Sequence, residues 1–150
     1  MKKLNYTIDI KAPKDQVYQK MIGKESYKQW TSEFNPTSDY EGGWNKGDKI
    51  KFIGISQEGK KEGMVARIEE NIPNEFISIH HYGILDGENE ITTGKMVEDW
   101  APAYENYTFT QEADLTRVSV DVDVNEEHRA FFDETWPKAL GKLKEICEIN

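Results

Sequence analysis

The chain has 150 residues, 31% of them charged, a single cysteine and a formal net charge of −9 at pH 7. That length suits one domain, and a chain of this size buries roughly 68–70% of its unfolded surface, so it needs no covalent staple. The acidic balance argues against a nucleic-acid role, which requires a cationic face for phosphate, and one cysteine excludes both an intramolecular disulfide and a thiolate metal cage.

The first residues, MKKLNYTIDIKAP, hold two lysines but lack the apolar run of about 7–15 residues that a signal peptide needs. Nor does any apolar stretch approach the ~18 residues of a membrane span. The mean hydropathy is −0.79. With the lone Cys147, these features fit a reducing, cytoplasmic setting.

Residues 4–11 alternate, with Leu4, Tyr6, Ile8 and Ile10 on one face and Asn5, Thr7 and Asp9 on the other, which predicts a strand. Pro13 suits the first turn of a helix, where its missing N–H has no partner anyway, and Val17, Tyr18, Met21 and Ile22 follow at helical spacing. Gly23 marks a stop, and a second short helix is expected around Glu25–Trp30. Residues 35–49, rich in Gly, Asn and Pro, read as a loop.

Strand candidates come next: 47–55 and 62–70 joined through Gly59, then 75–83 after a turn at Asn71-Ile72-Pro73-Asn74. The acidic stretch 84–99 reads as a loop. Residues 103–111 and 116–124 form a hairpin pattern. In the second of these, Val118, Val120, Val122 and Val124 alternate with Ser119, Asp121 and Asp123, so one side meets a core and the other meets water. Asn125 is placed to cap a final helix, with Glu126 and Glu127 in its first turn and a stripe of Phe132, Trp136, Leu140, Leu143 and Cys147. Pro137 is expected to kink that helix or split off its first turn.

The order is strand, two helices, five strands, long helix, which predicts an α+β fold with a six-stranded antiparallel sheet. A sheet with one apolar face needs a cover, and the last helix is the one element long enough to supply it. One helix does not fill a strongly curved sheet, so a pocket is expected between them.

This order and a set of residues resemble the START/Bet v1-like (SRPBCC) superfamily, in its bacterial branch related to the activator of Hsp90 ATPase (AHSA1-like proteins). The matching residues are Ala12-Pro13 with Val17-Tyr18, Trp30, Gly42-Gly43 with Gly47-Asp48, and Asn71-Ile72-Pro73. Tyr107-Thr108-Phe109, Thr116-Arg117-Val118 and Trp136, Leu140 and Leu143 complete the set. The resemblance spans essentially the whole chain and implies a helix-grip fold with a hydrophobic cavity. It does not imply one activity, since such folds serve binders, enzymes and cochaperones. Segment 84–99 is longer and more acidic than the resemblance leads one to expect.

Motifs for phosphate loops, serine hydrolases, zinc proteases and dithiol redox centres are absent from the sequence. His80 and His81 are adjacent on a strand, point to opposite faces and cannot share one metal; no metal or cofactor is expected. Phe76, Ser78, His80 and Tyr82 form one face of that strand, and Ile77, Ile79 and His81 the other. The alternation alone does not choose between them, and the resemblance favours turning His80 and Tyr82 inward. Glu105 shares a face with Tyr107 and Phe109, so its carboxylate needs a partner or a place at the sheet's rim, the rim being the expectation.

The expected ligand-binding residues are Trp30, Phe52, His80, Tyr82, Tyr107, Phe109, Phe132, Trp136 and Leu140, with His80 and Tyr82 orienting the guest. The first functional expectation is a binder of a small hydrophobic or amphipathic molecule. The alternatives are an enzyme of the same fold acting on an aromatic or polyketide-like substrate by acid–base chemistry, and a chaperone ATPase-regulating module. A chaperone partner is not expected, because the better-known eukaryotic relatives pair this domain with a further N-terminal one; a homodimer is compatible with the reading.

Overall fold

The computed structural model describes residues 2–99, 101 and 103–149. Strand β1 (Lys2–Ile10) leads into helices α1 (Lys14–Ile22) and α2 (Lys24–Trp30) and a 3₁₀ turn (Thr31–Glu33). Then come β2 (Asp39–Gly42), β3 (Lys49–Ile55), β4 (Lys61–Ile72), β5 (Phe76–Asp86) and β6 (Asn89–Ile91), the one-turn helix α3 (Lys95–Glu98), β7 (Ala103–Glu112) and β8 (Leu115–Val124). Helix α4 (Glu126–Glu148) ends the chain.

The strands form one antiparallel sheet in the order β1-β8-β7-β5-β4-β3-β2, with β6 paired to the end of β5. The fold is therefore α+β and helix-grip, with eight strands in place of the expected six. The two additions lie in segments read as loops. Both β2 and β6 are too short, at 4 and 3 residues, to show a period of two. Within the acidic stretch β6 is tied down by charge: Glu90 pairs with Lys49 at 2.6 Å and Lys51 at 3.1 Å, and these hydrogen bonds hold its carboxyl below the ordinary range.

Strand β8 behaves as its sequence requires, with Val118, Val120, Val122 and Val124 all buried. Opposite, the inner face of α4 buries Trp136, Ala139, Leu140, Leu143 and Cys147 in the same core cluster. Two features of α4 differ from expectation. Asn125 stands at the N-cap but makes no side-chain cap bond, its backbone carbonyl accepting from His128 N–H instead at 3.0 Å. The helix also continues through Pro137 without splitting off its first turn there.

Helices α1 and α2 meet at Gly23, whose N–H donates to the Gln19 carbonyl at 2.8 Å. The freed carbonyls at the end of α1 find side-chain donors: Trp30 Nε1–H reaches Met21 O at 3.0 Å, and Tyr40 O–H reaches Ile22 O at 2.7 Å. These bonds fix two aromatic rings under the sheet's open end. On β4, Gly63 has φ 149°, and a Cβ there would fall 1.8 Å from the Phe52 carbonyl oxygen, so only glycine lets β3 and β4 approach at that point.

Candidate functional site

A cavity of about 540 Å³ lies between the concave face of the sheet, the α2–3₁₀ segment and the first half of α4. Six aromatic residues contribute to its wall: Tyr27, Trp30, Phe34, Phe52, Tyr107 and Trp136, with Tyr104 and Phe132 beside them. The rings interlock. Trp136 meets Phe34 edge-on at 5.0 Å between centroids and Trp30 at a tilt at 5.9 Å, and Tyr27 meets Trp30 edge-on at 5.6 Å. Edge-to-face pairs of this kind fix ring orientation as well as burying area.

Of the residues expected to hold a guest, Trp30, Phe52, Tyr107, Phe132 and Trp136 line this cavity. Phe109 and Leu140 do not; both are buried in the solid core, with Phe109 against Tyr18 at 5.6 Å. His80 and Tyr82 require correction. They occupy the opposite, convex face of β5, where His80 stacks on Tyr104 at 4.8 Å and Tyr82 lies under the Arg67 guanidinium. The inward residue is His81, on the face it shares with the fully buried Ile77 and Ile79. That pair of β-branched residues was the sequence signal for the correct phase.

His81 introduces the polar part of the site. Its Nε2 lies 3.0 Å from Glu105 Oε1, and the other carboxylate oxygen of Glu105 accepts from the Tyr107 hydroxyl. Glu105 thus faces the cavity, its side chain 21% exposed, with one protein donor on each carboxylate oxygen and capacity left for water or a guest. This replaces the expected place at an open rim. Nε2–H donates to the carboxylate, and the other ring nitrogen, Nδ1, is buried without a partner. Burial and the negative charge of Glu105 hold the Tyr107 phenol well above its ordinary pKa, so it remains a donor. Tyr27 is raised for the same two reasons, burial first.

Sequence reasoning also missed Tyr27 and Phe34. Tyr27 stands three residues before Trp30 on α2, a spacing that puts both on one helical face. Phe34 had no such signal, being one aromatic after a helix end.

Comparison with known proteins bears on the whole of this architecture. The solution structure of the Aha1 dimer from Colwellia psychrerythraea superposes with a TM-score of 0.73 at 24% identity, over 99% of this chain and 98% of that one. A crystal structure from Nitrosomonas europaea gives 0.73 at 16% identity, over 95% and 92% of the two chains. DynU16, from the dynemicin biosynthetic locus, gives 0.66 at 13% identity; 95% of this chain matches 46% of that one. At these identities the likeness establishes the fold alone. No curated protein matches the sequence significantly. The model of activator of Hsp90 ATPase homolog 1-like proteins matches residues 11–148, nearly the full length, and the chain belongs to that family.

Proposed function

We propose that the protein binds a small, largely apolar molecule in the cavity between the sheet and α4. The observation that carries this reading is the cavity itself: about 540 Å³, walled by aromatic rings, with a few convergent polar groups. Pockets of roughly 300–1,000 Å³ with that lining are the usual form of small-molecule sites. Affinity would come from apolar burial, at roughly 25 cal/mol per Å² before ordering costs. Orientation would come from Glu105, held by His81 and Tyr107.

Native mass spectrometry of gently purified protein tests the reading, with the expected result a retained small molecule at one per chain. A fluorescent apolar probe, N-phenylnaphthylamine, should bind saturably to the emptied protein, and Ala103→Phe, which fills the cavity from β7, should weaken it. A folded Ala103→Phe variant that binds the probe as tightly as the native chain would remove the cavity as its site.

The second reading is an acid–base enzyme of the same fold, favoured by the hydrogen-bonded row Tyr107–Glu105–His81 on the concave face. The reachable group of that row is Glu105, so Glu105→Gln should abolish turnover of an aromatic substrate. The family's name raises chaperone regulation, and the Colwellia relative's solution structure is that of a dimer. A chaperone ATPase assay and sedimentation equilibrium test these two points directly.

A further inference from the structure

The charges around the cavity restrict what it can hold. Among the described residues lining it there is no lysine or arginine, whereas Glu62, Glu105 and Asp123 all contribute. Asp123 is already matched by Lys3 at 3.1 Å, and Glu62 is exposed at the mouth. Glu105 differs from both. It sits among the aromatic rings, and among the described residues its one ion-pair partner is His81. That contact is one ring nitrogen on one carboxylate oxygen, and the other ring nitrogen, His81 Nδ1, is buried without a hydrogen-bond partner.

Three classes of guest can be weighed against this arrangement. A carboxylate, phosphate or sulfate would meet an anion with no guanidinium or ammonium to bind it. A hydrocarbon would fill the aromatic space but strip water from Glu105 and give nothing in return, which is costly for a charge. An apolar body carrying a protonated nitrogen does both jobs. It replaces the lost water on Glu105 with a charge-assisted hydrogen bond, and it places a cation among ring faces that attract one.

We infer that the cavity selects an organic cation, a ring-sized apolar body whose protonated amine seats against Glu105 between Tyr27, Tyr107 and the tryptophans. The inference rests on the pocket-binding reading above and names the chemistry of its guest.

Calorimetric titration of the full chain with three matched probes tests it: naphthylmethylamine (cationic at neutral pH), naphthalenemethanol (neutral) and naphthoate (anionic). The amine should bind at least about tenfold tighter than the alcohol, with naphthoate weakest. In Glu105→Gln, which keeps an acceptor oxygen for Tyr107, the amine should fall to the affinity of the alcohol. Equal binding of amine and alcohol, or tightest binding of naphthoate, overturns the cation assignment and leaves the pocket reading standing. Binding of none of the three removes the pocket reading and this inference with it. Should Glu105→Gln fail to fold, the ranking of the three probes on the native chain decides the matter alone.

Discussion

His81 reaches diagonally across two neighbouring strands to Glu105: the contact is 3.0 Å, although the register pairs Glu105 with Ile79 and His81 with Ala103. The carboxylate is thereby the shared acceptor of a ring N–H from β5 and a phenol from its own strand. Removing it strands two buried donors, whereas removing one donor leaves the carboxylate half-satisfied. Glu105→Ala should therefore destabilise the fold by about 2–4 kcal/mol, and Tyr107→Phe by about 1 kcal/mol. Glu105→Gln, which retains an acceptor, should lie nearer the smaller figure. Urea denaturation of the three variants checks the order; an alanine variant as stable as the native chain would show that the row contributes nothing to folding.

Trp136 is the keystone of the aromatic wall, 3% exposed and in ring contact with Tyr6, Trp30, Phe34 and Tyr107. Phe131, five residues earlier on the same helix, is 48% exposed. Large-to-small changes in packed cores cost about 3–5 kcal/mol for Trp or Phe, while exposed positions away from special features change little. Trp136→Ala should thus cost about 3–5 kcal/mol and Phe131→Ala less than about 1 kcal/mol. Thermal melts followed by circular dichroism measure both. Comparable losses at the two positions would contradict the packing described.

The contrast between β8 and β5 explains how much of this was legible in the sequence. On β8 the run from Arg117 to Val124 alternates polar outward residues with four buried inward valines, so the phase could be read directly. On β5 the outward face carries Phe76 and Tyr82 and the inward face carries His81, so hydrophobicity sorts the two faces poorly. Ser78, outward in phase, is itself buried, and the partner strand slips register between Val65 and Ala66 and again between Ile68 and Glu70. A bulge re-aims side chains in a way that no count of two can register. The aromatic wall was legible in part because Trp30, Tyr107 and Trp136 lie on elements with clear periods. The Glu105–His81 contact was not, being a diagonal pair between strands whose faces had first to be known.

Tyrosine ionisation offers a pH test of the interior. Tyr27 and Tyr107 are held well above their ordinary pKa by burial and by Glu105, and Tyr6 is raised by burial and by its hydrogen bond to Asp133. A folded pKa above the unfolded one contributes stability that is fully present below the ordinary phenol value of about 10 and is lost as pH rises past it. Stability should therefore decline above about pH 10. In an absorbance titration, these three of the seven tyrosines should ionise only as the chain unfolds. Smooth ionisation of all seven with the circular dichroism unchanged would mean that these phenols are not buried as described.

Cys147 tests whether the end of α4 is closed down. Its thiol is 2% exposed, and burial pushes its pKa up to about 11. The last turn is pinned from two sides: Glu148 accepts from the Lys11 backbone N–H at 2.8 Å, and Gln16 Nε2 donates to the Cys147 carbonyl at 3.1 Å. Because the thiolate is the reacting species, a rise of about two pKa units alone slows alkylation at pH 8 about a hundredfold relative to a free thiol. Iodoacetamide should accordingly modify native protein far more slowly than protein in urea. Glu148→Ala, which removes the acceptor for the Lys11 N–H without touching the thiol, should speed the native reaction while leaving the denatured rate unchanged. Rapid alkylation of the native chain would mean that the helix end opens freely, and that the core it covers is less tightly shut than the contacts around Cys147 require.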